Sequence, residues 1–464
     1  MPHRKADHTC YDFRLTRRSL LFAGLGTLGL SLSEILALRS LRAASAVRGF
    51  GRAKSCIVFF AWGGMSQLET WDPKPDAPIE VRGNYRPIST RVPGILLGEY
   101  MPGLAGQTHR LAIVRSVHHK ETGHRNAAYW NLTGHAPHNP GNDAPLPPSR
   151  RDWPCLGSMV ARFRKPAKGF PACVAVPYPI ADRGLLNGQF GGFLGMHYDP
   201  LIVKPKGATP YGGVSPTTGE AHLRLPADVD NRRLTDRMEL LNNVGRQIGS
   251  RDSAFDHYQQ MAADLLLSPK VRSAFDLERE PPKVRDQYGS HMCGQSALLA
   301  RRLTEAGVPI VTIYASAGDL NGSKGDNWDT HGKNFQRLKN ALLPPLERAS
   351  IALLNDLAAC GRLDETLVVF LTEFGRTPKL NRNSGRDHFP NCYSVAFAGG
   401  GIVGGQVLGK SDRIASQPIE APCGPADIHA TIFHALGIPA DAHIVDNLGR
   451  PLALCDGEPL PLFG

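Results

Sequence analysis

Two Asp/His pairs and a lone carboxylate stand just after runs that read as buried strands. Asn327-Trp328-Asp329-Thr330-His331-Gly332 follows one run through a Gly/Ser/Asp loop. Asp329 and His331 are two apart, so an extended backbone sets both on one side. Gly385-Arg386-Asp387-His388 supplies the second pair. One carboxylate oxygen and one imidazole nitrogen per pair is a common ligand mixture for zinc or another divalent ion. Taken singly, a solvated Asp-His pair is the plainer reading. Glu373 and Arg376 follow directly on Thr366–Thr372. A carboxylate and a guanidinium there could hold a metal and an oxyanion respectively, or simply pair to close a loop. Two pairs plus Glu373, each after a strand, are more specific than any one of them.

Five histidines, His118, His119, His124, His135 and His138, fall within 21 residues. Ala127–Leu132 reads as helical and stops at Thr133-Gly134, with Thr122 or His124 near its start. A helix N-terminus offers backbone N–H groups to a phosphate or sulfate. At least two of the five are expected to be ordinary hydrogen-bonded or surface histidines. Gly63-Gly64 opens another segment in which Glu69, Asp72 and Lys74 are the polar candidates. Its glycines allow close backbone approach to a ligand, and a capped helix start followed by a Pro turn explains it equally well.

The elements that must carry these residues are short continuous apolar runs: Cys56–Ala61, Leu111–Val114, Ala172–Val176, Ile310–Ala315, Thr366–Thr372 and Tyr393–Ala398. Such runs predict strands buried on both faces. Helix-length stretches lie between them: Gln295–Ala306, Lys333–Cys360 interrupted by Pro344-Pro345, and Pro425–Leu436 ending at Gly437. Strands alternating with helices predict an α/β fold, a mostly parallel central sheet with helices on both faces. In open sheets of that kind ligands bind outside the carboxyl ends of the strands, where the candidate residues fall. Residues 139–282, rich in Pro and Gly and then helical and charged, read as an insertion or cap.

The chain has 464 residues, 20% charged and 42% hydrophobic, with 49 Gly and 37 Pro. That balance excludes a disordered chain, a collagen-like repeat, a coiled coil and a polytopic membrane protein. Residues 1–46 hold seven basic and three acidic side chains, so +4 of the net +11 belongs to them. The remaining excess favours anionic ligands. No basic run with interleaved aromatics suggests nucleic acid. Thr16-Arg17-Arg18-Ser19-Leu20-Leu21, an uncharged middle and Ala44-Ser45-Ala46 make 1–46 an export signal of the twin-arginine kind, which engages the twin-arginine machinery and implies a periplasmic or extracellular protein. An uncleaved anchor is the competing reading. Eight cysteines follow Cys10; an even number permits disulfides, although Cys56 and Cys173 sit in apolar runs and read as core.

In this order the segments resemble the domain-of-unknown-function 1501 family, whose fold is that of the alkaline phosphatase and sulfatase superfamily. The matching stretches include GGMSQLETWDPKP (63–75), HRLAIVRSVHHKETGH (109–124), NWDTHGKNF (327–335), DETLVVFLTEFGRTP (364–378) and GRDHFPNCYSVAFAGGG (385–401). The resemblance implies one alkaline phosphatase/sulfatase-like domain over 47–464, acting on sulfate or phosphate esters with divalent metal (zinc, calcium or similar). By position Asp329, His331 and His388 match one metal site, Glu373 is what remains of a second, and Asp387 is a ligand or orienting neighbour. His124 takes the nucleophile's place, ten residues before Gly134. A histidine is not the superfamily's Ser, Thr or modified Cys, though Thr122 lies two residues away. The family's later Asp-His is Glu373-Phe374 here, and its first-strand Asp is Trp62-Gly63. His124 or Thr122 would contact the transferred group and Arg376 balance its charge. The substrate would be a small-molecule or polysaccharide ester. The alternative is a binding or assembly protein that keeps the fold without catalysis.

Overall fold

The computed structural model describes residues 48–203, 229–248, 259, 261–264, 266–315, 320 and 327–464. The export signal therefore lies outside the described residues, as does part of the 139–282 stretch. Eight strands form the central sheet: β1 (Ser55–Phe60), β2 (Leu111–Val117), β3 (Cys173–Val176), β4 (Leu201–Ile202), β5 (Ile310–Tyr314), β6 (Thr366–Leu371), β7 (Tyr393–Ala398) and β8 (Gln406–Leu408). Their spatial order is β8-β2-β7-β6-β1-β5-β3-β4. All neighbours are parallel except β7, which runs antiparallel to both β6 and β2. The expected α/β architecture is thus the observed one.

Every residue of β1 is buried because both faces of the sheet are covered. Ile57 and Phe59 pack with helices α3 (Met292–Ala306) and α4 (Leu343–Ala359) on one face. Cys56, Val58 and Phe60 pack with α1 (His124–Thr133), α2 (Leu156–Phe163) and α5 (Pro425–Ala435) on the other. The alternation of a strand's side chains splits one apolar run between two cores. β3 and β4 lie within 139–282, so that stretch contributes one edge of the sheet as well as covering loops.

Pro344-Pro345 does not break its helix. A π turn, Leu338–Leu342, precedes α4, and the prolines fall in the first turn of α4, where a missing N–H is best tolerated. The eight cysteines from Cys56 to Cys455 are all free thiols. Among the described residues no helix is long and apolar enough to cross a membrane.

Within the central sheet, the antiparallel strand β7 decides where the candidate residues sit. Because β6 and β7 run in opposite directions, the whole 372–392 connection stays at the carboxyl edge of β6. The loops leaving β1, β2 and β5 reach the same edge.

Candidate metal centre at the carboxyl edge of the sheet

Four loops deliver the candidate side chains. Asp329 and His331 follow β5, Glu373 is two residues past the end of β6, and His388 lies in a two-residue ribbon, His388–Phe389, paired with Gly375–Arg376. His124 is the first residue of α1. The helix can start there because Asp143, far along the chain, caps it: its Oδ1 accepts the N–H groups of Arg125 at 2.9 Å and Asn126 at 3.1 Å. Gly123 leaves the room, since a Cβ on it would lie 2.1 Å from the Asp143 Cγ. The helix N-terminus, expected to be open to a phosphate or sulfate, is therefore filled by the chain's own carboxylate.

Three imidazoles surround one oxygen. The Nε2 atoms of His124, His331 and His388 lie 3.4, 3.1 and 3.2 Å from Asp329 Oδ1. Each ring is held from behind through Nδ1: His124 by Glu373 Oε1 at 2.9 Å, His331 by Asp387 Oδ1 at 2.7 Å, and His388 by the Thr122 carbonyl at 2.8 Å. All three partners are acceptors, which places a proton on each Nδ1; the Nε2 of a neutral ring then turns its lone pair toward the centre, and the Nε2 of a protonated ring donates to Asp329. The Nε2 atoms of His331 and His388 are only 2.9 Å apart, and His124 Nε2 is buried with Asp329 Oδ1 as its neighbour at 3.4 Å. Lone pairs converging on a carboxylate oxygen repel one another until a cation or a proton lies between them. The ligand atoms of His124, Asp329 and His388 all lie within 4.8 Å of one another.

The electrostatics follow from that crowding. Burial would raise the Asp329 carboxyl, yet hydrogen bonds from His124, His331 and His388 and the charge of Arg376 hold it far below the usual carboxylate range. Burial disfavours a charged His124, but Asp329 and Glu373 outweigh it and raise its pKa. Asp329, against some loss from burial, together with Asp387 raises His331. His388 goes the other way, lowered by burial and by the neighbouring His124 and Arg376.

Several expected roles change. Arg376 cannot balance charge on a transferred group, because its guanidinium is fully buried and committed to the protein. It donates to Gly64 O at 3.0 Å, Arg386 O at 3.0 Å, Trp328 O at 3.1 Å, Asp329 Oδ1 at 2.7 Å and Gly63 O. It positions Asp329 and the ligand loops. Glu373 is also wholly buried, accepting from Gly63 N at 2.8 Å as well as from His124; it stands behind His124 rather than beside Asp329. Asp387 stands behind His331 in the same way, half exposed. Thr122 is exposed and reaches the centre through its carbonyl.

Gly63 is required on this wall: its φ is +116°, and a Cβ would fall 2.4 Å from Asp329 N. Of the other clustered histidines, His119 supports the centre from below. Its Nε2 donates to the Glu373 carbonyl at 2.7 Å while Nδ1 accepts from Glu121 N, and burial lowers its pKa to about 4. His135 stacks on Trp153, His138 approaches Tyr129, and His118 is exposed. Asp72 is buried against Lys74 and Arg115 and takes no part in the centre. Glu69 pairs with Arg386, both fully buried. Nothing in the sequence flagged the Thr122 carbonyl or Asp143. Their contribution comes from backbone and from a distant loop.

No curated protein sequence matches the chain. Solved structures are similar at low identity. Ps i-CgsB in complex with k-i-k-neocarrahexaose is 10% identical with a TM-score of 0.41, over 87% of this chain and 74% of that one. The PsFucS1 sulfatase from Pseudoalteromonas sp. is 13% identical, TM-score 0.37, over 87% and 71%. The lipoteichoic acid synthase LtaP from Listeria monocytogenes is 10% identical, TM-score 0.32, over 90% and 80%. A family match runs from residue 53 to residue 461, across every segment that meets at the centre, and the chain belongs to the family described as Protein of unknown function (DUF1501).

Proposed function

We propose that this protein is an exported, metal-dependent hydrolase of sulfate or phosphate esters built on a single metal centre. The observation that carries the proposal is the convergence of three Nδ1-anchored imidazoles on Asp329 Oδ1. Three nitrogens and one oxygen suit zinc or another borderline ion, whereas calcium takes six to eight oxygens. Ligands about 2.0–2.1 Å from a tetrahedral ion stand roughly 3.3–3.4 Å from each other. The separations from Asp329 Oδ1 to each Nε2 and between His331 and His388 are 2.9–3.4 Å, near that already, while His331 stands outside the His124/Asp329/His388 group whose atoms all lie within 4.8 Å of one another. A divalent ion held there supplies Lewis acidity toward an ester oxygen.

The chain's own residues do the rest. Asp387 keeps the His331 proton on Nδ1, and Glu373 does the same for His124. His331 and Asp387 are the exposed members of the set, so an ester approaches from their side. The helix N–H groups are taken by Asp143, and His124 faces the centre, which favours direct hydrolysis over a covalent enzyme intermediate. Residues 1–46 read as a twin-arginine signal, and that reading supports work in the periplasm or outside the cell, where anionic polysaccharides are one substrate class.

Elemental analysis tests the centre. Purified protein should carry close to one equivalent of zinc or a similar ion, lost in His331→Ala/His388→Ala. Metal-free wild type, after growth and purification with zinc present, ends the proposal. Hydrolysis of an aryl sulfate or aryl phosphate, abolished in the same variant, is expected next. The capped helix N-terminus and the missing hydroxyl nucleophile favour a second reading, a metal-bearing binding protein. Bound metal with no turnover on either ester would select it.

A further inference from the structure

Arg386 stands directly before Asp387-His388, and its guanidinium is fully buried against an equally buried Glu69. Its Nε donates to Glu69 at 3.0 Å and its Nη2 to Glu69 Oε1 at 2.5 Å; the other N–H groups go to Val81 O at 2.6 Å, Thr377 O at 3.0 Å and Pro378 O. Glu69 is shared. Its Oε2 also accepts from Asn334 Nδ2 at 3.0 Å, and Asn334 Oδ1 accepts from Thr330 Oγ1 at 2.6 Å. Thr330 lies between Asp329 and His331, and its carbonyl accepts the Arg386 N–H at 3.0 Å. One buried carboxylate thus ties the loop bearing Asp329 and His331 to the loop bearing His388. The loops are in close contact besides: a Cβ on Gly385 would sit 2.0 Å from the His331 carbonyl oxygen.

A buried ion pair is weak ground for stability, since desolvating both charges offsets most of their attraction. This pair has a different consequence, because five directed N–H bonds on a planar fork fix the relative position of three segments. We propose that the buried Glu69–Arg386 pair, with Asn334, is the positioning element that sets the metal affinity of the His124/Asp329/His331/His388 centre. The proposal rests on the metal-centre reading above. None of these three residues touches the centre; each acts through the ligand loops. Outer partners of metal ligands elsewhere carry about 10- to 100-fold in affinity.

The test compares zinc dissociation constants, measured by competition with a chromophoric chelator at 25 °C, for the full chain and three variants. Glu69→Gln and Asn334→Ala disturb the network. Glu280→Gln disturbs a second buried arginine cluster, where Glu280 meets Arg301 at 2.8 Å and also contacts Arg302. That cluster lies near the carboxyl end of α3, toward the opposite edge of the sheet, so this variant serves as the control. Zinc should bind about 10- to 100-fold more weakly to Glu69→Gln, and measurably more weakly to Asn334→Ala, with near-ultraviolet circular dichroism unchanged. The control should lose thermal stability and keep wild-type affinity. Should Glu69→Gln fail to fold, Asn334→Ala decides, because it keeps the ion pair intact. Folded variants that bind zinc as the wild type does overturn the positioning role and leave the centre standing. A control that weakens zinc equally also overturns it, since the effect would then be one of general destabilisation. Wild type that binds no zinc removes both.

Discussion

Asp329 Oδ1 receives a guanidinium at 2.7 Å on one side and faces three imidazole nitrogens on the other. The arginine keeps the carboxylate ionised and aimed, so the imidazoles meet an anion in fixed geometry. Beneath the centre the chain uses histidines in the opposite way, as neutral hydrogen-bonding groups. His429 donates from Nε2 to the Asn131 carbonyl at 2.8 Å, its Nδ1 is buried without a partner, and burial lowers its pKa to about 4. Asn131 in turn donates to the Glu373 carbonyl at 2.8 Å. A histidine neutral in the fold but ordinary when unfolded takes up its proton only on unfolding. Between pH 6.5 and 4 the unfolded chain therefore binds more protons, and stability falls as pH falls through that window. The slope for one such group approaches about 1.4 kcal/mol per pH unit. Urea melts at pH 7, 6 and 5 should show wild type losing stability faster than His429→Gln, which keeps a donor for Asn131 without the titrating ring. Parallel losses would mean that the ring is not held neutral.

At the scale of elements, α1 carries the least conventional arrangement, because its cap comes from a loop beyond its own carboxyl end. That loop is anchored three times. Asp143 takes two helix N–H groups, Glu121 accepts from Gly141 N, and Asn126 donates to the carbonyls of Asn139 and Asn142. Asp143→Ala should lower unfolding stability by about 0.5–2 kcal/mol, the usual cost of a lost cap. It should also free the N–H groups for an outside anion, read as a thermal shift in 50 mM sulfate that wild type lacks. A variant as stable as wild type would show that the cap is incidental. This element also marks where the sequence stops being legible. The six long strands are readable because each is an apolar run buried on both faces, and the convergence of Asp329, His331 and His388 was readable from their place after those strands. β4 and β8, at two and three residues, carry no such signal. The π turn before α4 is hidden as well, since Pro344-Pro345 reads as an interruption. Arg376 and Arg386 are both arginines in one loop, and residue type alone does not say that both are buried staples. His124 stands where the family resemblance puts a nucleophile; only the ring's anchoring by Glu373 turns it into a candidate ligand.

On the scale of the whole molecule, the centre joins parts of the chain that lie far apart in sequence. His124 comes from the β2 side of the sheet, Asp329 and His331 from β5, Glu373 and His388 from the β6–β7 connection, and Gly63 from β1. A metal that binds there binds the folded chain and not the unfolded one, because no two of these segments are neighbours without the sheet. Binding then stabilises the fold by mass action. At a free zinc concentration 100 times the dissociation constant the gain is about 2.7 kcal/mol, and at 1,000 times about 4.1 kcal/mol. The converging lone pairs add to the effect, since the metal-free centre holds them together at a cost. Thermal unfolding followed at rising zinc should therefore move to higher temperature without a plateau at one equivalent, and a chelator should reverse it. His331→Ala/His388→Ala should start near the chelated wild type and ignore zinc altogether. A wild-type midpoint insensitive to both zinc and chelator would place the ligands in a self-contained hydrogen-bonded cluster, with the imidazoles sharing protons around Asp329 in place of an ion.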